Sequence, residues 1–323
     1  MKLAFRALEP ADFEAVASIS RRSGEGHVDT ETLLNEERAF DRTRFDRIHL
    51  VATDEEGVVV GRAIGTHVPS RFEPGRYFVG IEVDPRLRRR GIGAAMWSEL
   101  ADRLTERRAQ LACVWCEDGT AGASFVQIRG FVEVIRAYEQ VVAVARAPLP
   151  TGAAEERLAA AGIRIATLAE LMAVDSDAAL RAAFELHTEA RLDQPTLGRV
   201  TAAPYGDWLA YNVEAPEALT DAYLVALDQD RHVGTCSTRR EDEDSARIGI
   251  TAVLPSHRRL GIARALKLRA HEIAKAKGYR EIRTSNTAPN KGMLALNDAL
   301  GYVIVSSRGG YELELVSPPP RGC

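Results

Sequence analysis

Cysteine is scarce in this chain, four in 323 residues, which excludes a fold stapled by several disulfides. One pair is close together, Cys113 and Cys116 in "CVWC", and such spacing fits a redox couple or half a zinc site. No second CxxC and no histidine pair at finger spacing accompanies it. The segment "AQLACVWCED" reads instead as a buried strand, where residues three apart face opposite ways. Buried, reduced thiols and no metal are the expectation. A basic excess is also lacking: the net charge is −4, so nucleic acid is not an expected partner. The run "RLRRR" at Arg86–Arg90 is a local exception. Long apolar runs are missing too, both a signal-like segment in "MKLAFRALEPADF" and any stretch of the ~18 residues that span a membrane. A cytoplasmic location without a membrane partner follows as an expectation.

Present instead is the profile of a soluble globular protein, 46% hydrophobic and 27% charged. The length suits two domains of roughly 150 residues each. The chain then repeats itself: "VDPRLRRRGIGAA" from Val83 and "VLPSHRRLGIARA" from Val253 share seven of thirteen positions, 170 residues apart. Upstream, "LVATDEEGVVVGRAIGT" matches "LVALDQDRHVGTCSTRR", each a strand, a polar turn and a second strand. Downstream, Ile92, Met96, Leu100 and Leu104 form one helical stripe, and Ile262, Leu266, Ala270 and Ile273–Ala274 form its counterpart. A strand, a short helix and a Gly-aromatic then close each half, "RGF" at Arg129–Phe131 and "LGY" at Leu300–Tyr302.

The period is too long for a solenoid, so a duplicated mixed α/β domain is expected, ordered β-α-α-β-β-β-α-β-α-β-β twice. The boundaries read as 1–148 and 159–323 around a Pro/Ala/Gly-rich linker at 149–158. The tail "SPPPRGC" reads as disordered.

The repeated motif has the makings of an anion cradle. The first N–H groups of a helix lack intrahelical partners and lie at its positive end. Gly91 and Gly261 would let a pyrophosphate come close, and Arg88, Arg90, Arg258 and Arg259 would add charge-assisted bonds. A P-loop requires Gly-Lys-Ser/Thr, absent here; a Rossmann fingerprint requires three glycines after the first strand, and "GIGAAM" has two after roughly the fourth. Coenzyme A is the remaining phosphate ligand.

Val-x-Pro-x-x-Arg-Arg-x-Gly-Ile-Gly/Ala after a strand, with a downstream Asn and Leu-Gly-aromatic, resembles the GNAT N-acetyltransferase superfamily. The resemblance occurs once per half, as in tandem acetyltransferases of the mycothiol synthase type. It implies in each half a mostly antiparallel mixed sheet, helices on both faces, and a splayed central strand pair holding the pantetheine arm. It implies acetyl-CoA as cosubstrate and a small-molecule amine as acceptor, attacked directly in a ternary complex, in a pseudo-twofold monomer or a homodimer. Residues Ile81–Val83 and Thr251–Val253 would contact the pantetheine through their backbone. Arg88, Arg89, Arg90, Gly91, Ile92, Gly93 and Ala94 would form one phosphate loop; Arg258, Arg259, Gly261, Ile262 and Ala263 would form the other. Asn290 matches the family asparagine that contacts the coenzyme arm, where the first half has Gly119; Asn286 is a neighbouring candidate. These asparagines read equally well as turn and cap residues.

The family's usual glutamate base falls on Tyr77 and Arg247, and its tyrosine acid on Val126 and Asn297. Both halves lack the pair, which keeps a non-catalytic acyl-CoA sensor or scaffold open as the alternative. Substitute proton-transfer candidates are Glu82, Tyr77 and His257. The segment between the first helix and the hairpin of the second half carries Asp193, Tyr205, Trp208, Asp207 and Tyr211. Aromatics with carboxylates suit a cationic amine, and ordinary core packing is the competing reading.

Overall fold

The computed structural model describes residues 2–23, 29–192 and 194–315, with the side chains of 154 and 155 left aside. The first half runs β1 (Ala4–Ala7), α1 (Phe13–Ser23), α2 (Thr30–Ala39), β2 (Arg47–Thr53), β3 (Val59–Thr66), β4 (Arg76–Val83), α3 (Ile92–Glu106), β5 (Leu111–Glu117), α4 (Ala121–Ile128) and β6 (Val132–Ala143). The second runs α5 (Gly152–Ala160), β7 (Ile163–Thr167), α6 (Leu168–Val174), α7 (Ser176–Leu192), α8 (Tyr205–Leu209), β8 (Leu224–Asp228), β9 (Arg231–Arg240), β10 (Ser245–Val253), α9 (Ile262–Ala276), β11 (Glu281–Thr287), α10 (Lys291–Ala299) and β12 (Val303–Glu314).

The stripes of the two motif helices become their buried faces. Ile92, Met96, Leu100 and Leu104 of α3 are buried against the strands, as are Ile262, Leu266, Ala270 and Ala274 of α9. Residues four apart lie one above another on a helix, so the periodicity alone selects this face. Two local expectations differ from the structure. Each half was expected to close on two strands; β6 and β12 are each one unbroken strand of 12 residues. The Pro/Ala/Gly segment turns helical at Gly152, where the alanines and Leu158 outweigh the glycine; α5 packs Leu158 into the core and gives way at Gly162, φ +74°.

Two compact units result. The first comprises Met1–Val134, Leu197–Arg199 and Gly310–Cys323; the second comprises Ile135–Thr196 and Val200–Gly309. The sheet of unit 1 follows the order β1-β2-β3-β4-β5, then the last residues of β12. That of unit 2 follows β6-β11-β10-β9-β8-β7, with the first part of β12 beside β6. The strand at the far side of β5 thus comes from the end of the chain, and the strand beside β11 comes from its middle.

Each sheet holds a parallel pair, and that pair splays. β4 and β5 pair only over Arg76–Phe78 and Leu111–Cys113. β10 and β11 pair only over Ser245–Ile248 and Glu281–Thr284. The leading strands differ, however. β4 keeps an unbroken register with β3 from Phe78 to Val83, whereas β10 slips by a residue against β9 between Ile248 and Thr251. At that bulge the Ile250 N–H donates to Ser237 Oγ at 3.0 Å. A bulge bends its strand and re-aims the backbone, so unit 2 opens its splay in a way unit 1 does not.

Candidate active site

The repeated loops fold alike. Arg89 and Arg259 have φ of 66° and 70°, and Gly91 and Gly261 have φ of 83° and 86°. Each glycine caps its helix without any side chain bonding the first N–H groups, which leaves them directed outward for an anion. The structure revises why glycine stands there. A Cβ at either position would meet nothing within 4 Å among the described residues; the left-handed φ itself selects glycine, since another residue costs roughly 1–2 kcal/mol in that conformation. Arg88 and Arg258 fold back over the strand ends, each Nε donating to Val83 O (3.4 Å) or Val253 O (3.1 Å).

In unit 2 this loop is one end of a cleft of about 700 Å³. Thr251, Val253, Arg258, Arg259, Gly261, Ile262, Ala263, Asn286 and Asn290 all stand on its wall. The bulge residues Gly249 and Ile250 line it too, so the cleft runs from the loop into the splay. Asn290 also caps α10, its Oδ1 accepting from Met293 N–H at 3.4 Å. Asn286 is buried and donates to Gln140 Oε1 at 3.4 Å.

Unit 1 fills the corresponding region differently. Ile81 and Val83 pack against the core around α3. The Phe125 ring stands 3.2 Å from where a Cβ on Gly93 would lie, and the Arg129 guanidinium stacks on that ring at 3.3 Å. Ile92 is buried, whereas Ala94 and Arg90 are exposed at the surface. The end of α1 is tied down beside β4: Arg22 pairs with buried Asp84 at 2.8 Å, and Ser23 Oγ donates to Glu82 at 2.7 Å.

The substitute acid–base candidates are committed elsewhere. Tyr77 lies in the unit 1 core, its hydroxyl donating to Asp46 Oδ2 at 2.7 Å; burial and that carboxylate push its pKa up, away from service as a base near neutral pH. Glu82 is clasped by Arg62 at 2.9 Å as well as by Ser23. His257 is on the cleft wall but braces the loop, with Nδ1 2.8 Å from Ser256 Oγ and Nε2 3.1 Å from Asp228 Oδ2. Arg247, at the family's base position, is held by Glu139 and Glu241 at 2.6 and 2.7 Å.

The acceptor candidates divide. Trp208 is buried in a second core of unit 2 with Tyr223, and Tyr205 packs against it, 6.1 Å from the Trp208 ring. Neither stands on the cleft wall, so the core-packing reading describes them; a large apolar ring finds more area to bury against α7 than beside a polar cleft. Tyr211 is exposed, with the Arg239 guanidinium 4.1 Å from its ring. Asp193 lies outside the described residues; its neighbours Gln194 and Pro195, with Glu189 and Ala190 at the end of α7, do line the cleft.

Of the two thiols, Cys113 is buried, as the strand reading expects, and Cys116 is half-buried; neither forms a disulfide. Burial pushes the Cys113 thiol up to about 11. Cys323 lies outside the described residues. Among the described residues no group of three or more His, Cys, Asp or Glu could hold a metal ion, and no helix is long and apolar enough to cross a membrane.

Among the wall residues that sequence reasoning passed over is a lysine. Lys267 of α9 is fully buried, lines the cleft and has no hydrogen-bond partner for Nζ among the described residues. Its signal was in the repeat: the matching position in α3 is Trp97, so a lysine stands where the first half has an indole.

Comparison with known proteins agrees with this geometry. The family model described as "Acetyltransferase (GNAT) family" matches twice, over residues 13–131 and 182–302. No curated protein matches the sequence. Among solved structures, a GCN5-related N-acetyltransferase from Sphaerobacter thermophilus is 20% identical, with a TM-score of 0.67 over 98% of this chain and 96% of that one. A tandem GNAT protein from the clavulanic acid biosynthesis pathway is 18% identical, with a TM-score of 0.71 over 98% of this chain and all of the other (100%). At such identities the likeness is one of fold. With both halves matched by the family model, and the cradle and splay present in each, the chain belongs to the GNAT acetyltransferase family and carries its domain twice.

Proposed function

We propose that unit 2 is an acetyl-CoA-dependent N-acetyltransferase acting on a small primary amine, and that unit 1 is chiefly architectural. The observation that carries this reading is the cleft of about 700 Å³ that joins the Gly261 loop to the bulged splay of β10 and β11. Its parts suit an acyl-CoA in order. Arg258, Arg259 and the first N–H groups of α9 offer charge-assisted bonds to a pyrophosphate. Beyond Ile248, β10 is no longer paired with β11, and its main-chain groups there would be available to a pantetheine arm. A main-chain N–H in that stretch is the natural donor to a thioester oxygen as negative charge develops on it. The acceptor would approach past Glu189 and Gln194, where a carboxylate favours a cationic amine. Catalysis would take place in the cytoplasm, where acetyl-CoA is made.

Saturating acetyl-CoA should raise the thermal midpoint of the full chain, since ligand at a hundredfold excess over Kd adds about 2.7 kcal/mol. A probe set of spermidine, glucosamine, kanamycin and the common amino acids should then release CoA thiol from acetyl-CoA above background. An unmoved midpoint in the folded protein defeats the coenzyme assignment. A raised midpoint without thiol release favours the binding-only alternative, which the absent Glu and Tyr support.

A further inference from the structure

The buried face of α9 carries a charge that the binding scheme leaves unused. Lys267 has no exposed surface, and among the described residues its Nζ finds no hydrogen-bond partner. An ammonium in that state is costly unless something at the site repays it. The Tyr302 ring lies 4.8 Å from Nζ and supplies part of that compensation. The other titratable neighbours supply no anion near neutral pH. Burial raises the Cys236 thiol, which accepts from Thr251 Oγ1 at 3.5 Å. It raises the Tyr302 phenol also, and lowers His271 to about 4, leaving that imidazole neutral. His271 is itself used up between Pro148 O and the Tyr302 hydroxyl, both at 3.0 Å. Lys267 is also one of the residues that line the cleft, together with Thr251, Thr284 and Asn286.

The family's usual proton donor to the leaving thiol is missing at Asn297. That side chain is fully buried, its Nδ2 donates to Gln140 Oε1 at 2.8 Å, and an amide has no proton to give near neutral pH. We propose that Lys267 is the proton donor to the departing thiol in the cleft of unit 2. The assignment rests on the acetyltransferase reading above. In the step, the neutral acceptor amine forms a bond from nitrogen to the thioester carbonyl carbon. The C–S bond breaks with its electron pair on sulfur, and the Lys267 ammonium gives that sulfur a proton. The new amide nitrogen sheds its extra proton to solvent, and Lys267 takes one up to restore the ammonium. Burial brings the Lys267 amine down to about 8, a range in which a group near neutral pH both holds and releases a proton.

The test compares the full chain with Lys267→Met, a swap of similar length that suits an apolar surround. Calorimetry should find acetyl-CoA affinity within about threefold of wild type, because the phosphate loop is untouched, while kcat with the probe amines falls by about a hundredfold or more. The pH profile separates proton transfer from packing. With an acceptor of pKa near 10, wild-type kcat should rise with pH and level off above about 8. There Lys267 loses its proton as fast as the acceptor becomes neutral. The variant's residual rate should keep rising toward the acceptor's own pKa. The wild-type profile needs no variant, so a curve climbing through pH 8 without a break overturns the assignment even if Lys267→Met fails to fold. So does a folded Lys267→Met that keeps kcat within threefold, or one that has lost acetyl-CoA binding. Wild-type protein that binds acetyl-CoA but acetylates no probe amine defeats the acetyltransferase reading first, and this assignment with it.

Discussion

Position for position, the two units share a backbone and differ in what fills it. Where unit 1 has Trp97, Cys116, Val126, Phe131 and Tyr311, unit 2 has Lys267, Asn286, Asn297, Tyr302 and Gln140. In unit 1 the residues pack as an apolar group: Val126, Phe131 and Tyr311 gather with Ala112, and Trp97 meets Phe131 edge-on at 5.2 Å. In unit 2 Gln140 Oε1 instead collects donors from Asn297 and Asn286. The same architecture accepts either filling, provided that its volume is occupied. The consequences differ. Aromatic filling makes the region behind the splay apolar, while amides and a lysine leave hydrogen-bonding groups beside it. The bulge in β10, absent from β4, points the same way.

The comparison is most sharply tested at the strands that complete each sheet. In the full chain, Tyr311→Ala empties a buried aromatic site in unit 1 and should cost about 3–5 kcal/mol in denaturant unfolding. Gln140→Ala in unit 2 removes the acceptor for the buried Asn297 amide and should cost about 1–3 kcal/mol. Equal losses would mean that the two fillings are energetically alike.

A second test sets the loops against each other. Arg89→Glu and Arg259→Glu change like for like, since both arginines already sit at positive φ. Reversing the charge on the cleft wall at Arg259 should weaken acetyl-CoA binding about 10- to 100-fold, the loss of one charge-assisted bond. Arg89→Glu should leave both calorimetric affinity and turnover unchanged. A reversed pattern would move the active cleft to unit 1.

The smallest effect is in the response to acid. Burial holds His187 and His271 of unit 2 down at about 4. Unfolded histidine binds its proton near 6.5, so the unfolded state gains protons first, and unit 2 loses stability as pH falls from 6.5 to 4. In unit 1 burial lowers His67 as well, but short of a value as low as theirs, and Glu37 is held down at about 2 by His49 and Arg47; the Glu37 contribution persists to lower pH and fades between about 4.5 and 2. Segment-resolved hydrogen exchange at pH 7 and 5 should show protection falling more in α9 than in α3. Equal losses would break the distinction.

Much of this protein was determined by its sequence alone, because the determinants act within a turn or two of chain. The stripe spacing of α3 and α9, the hairpins β2–β3 and β8–β9, and the glycine opening each motif helix are local facts, legible without a partner. The loop residues on the cleft wall of unit 2 were legible for the same reason, and the repeat made them conspicuous. Other features depend on contacts far away in the chain, and only the tertiary structure decided them. Both closing strands look alike as sequence, so nothing local assigns β12 to β5 or β6 to β11; the side chains waiting beyond each pairing do. Tyr77 became core because Asp46 meets its hydroxyl, and Trp208 because α7 and Tyr223 surround it. A lysine on a helix reads as a solvated residue until the strands beneath it are in place. Burial turned Lys267 into a cleft-wall residue, and burial is a property of the assembled fold.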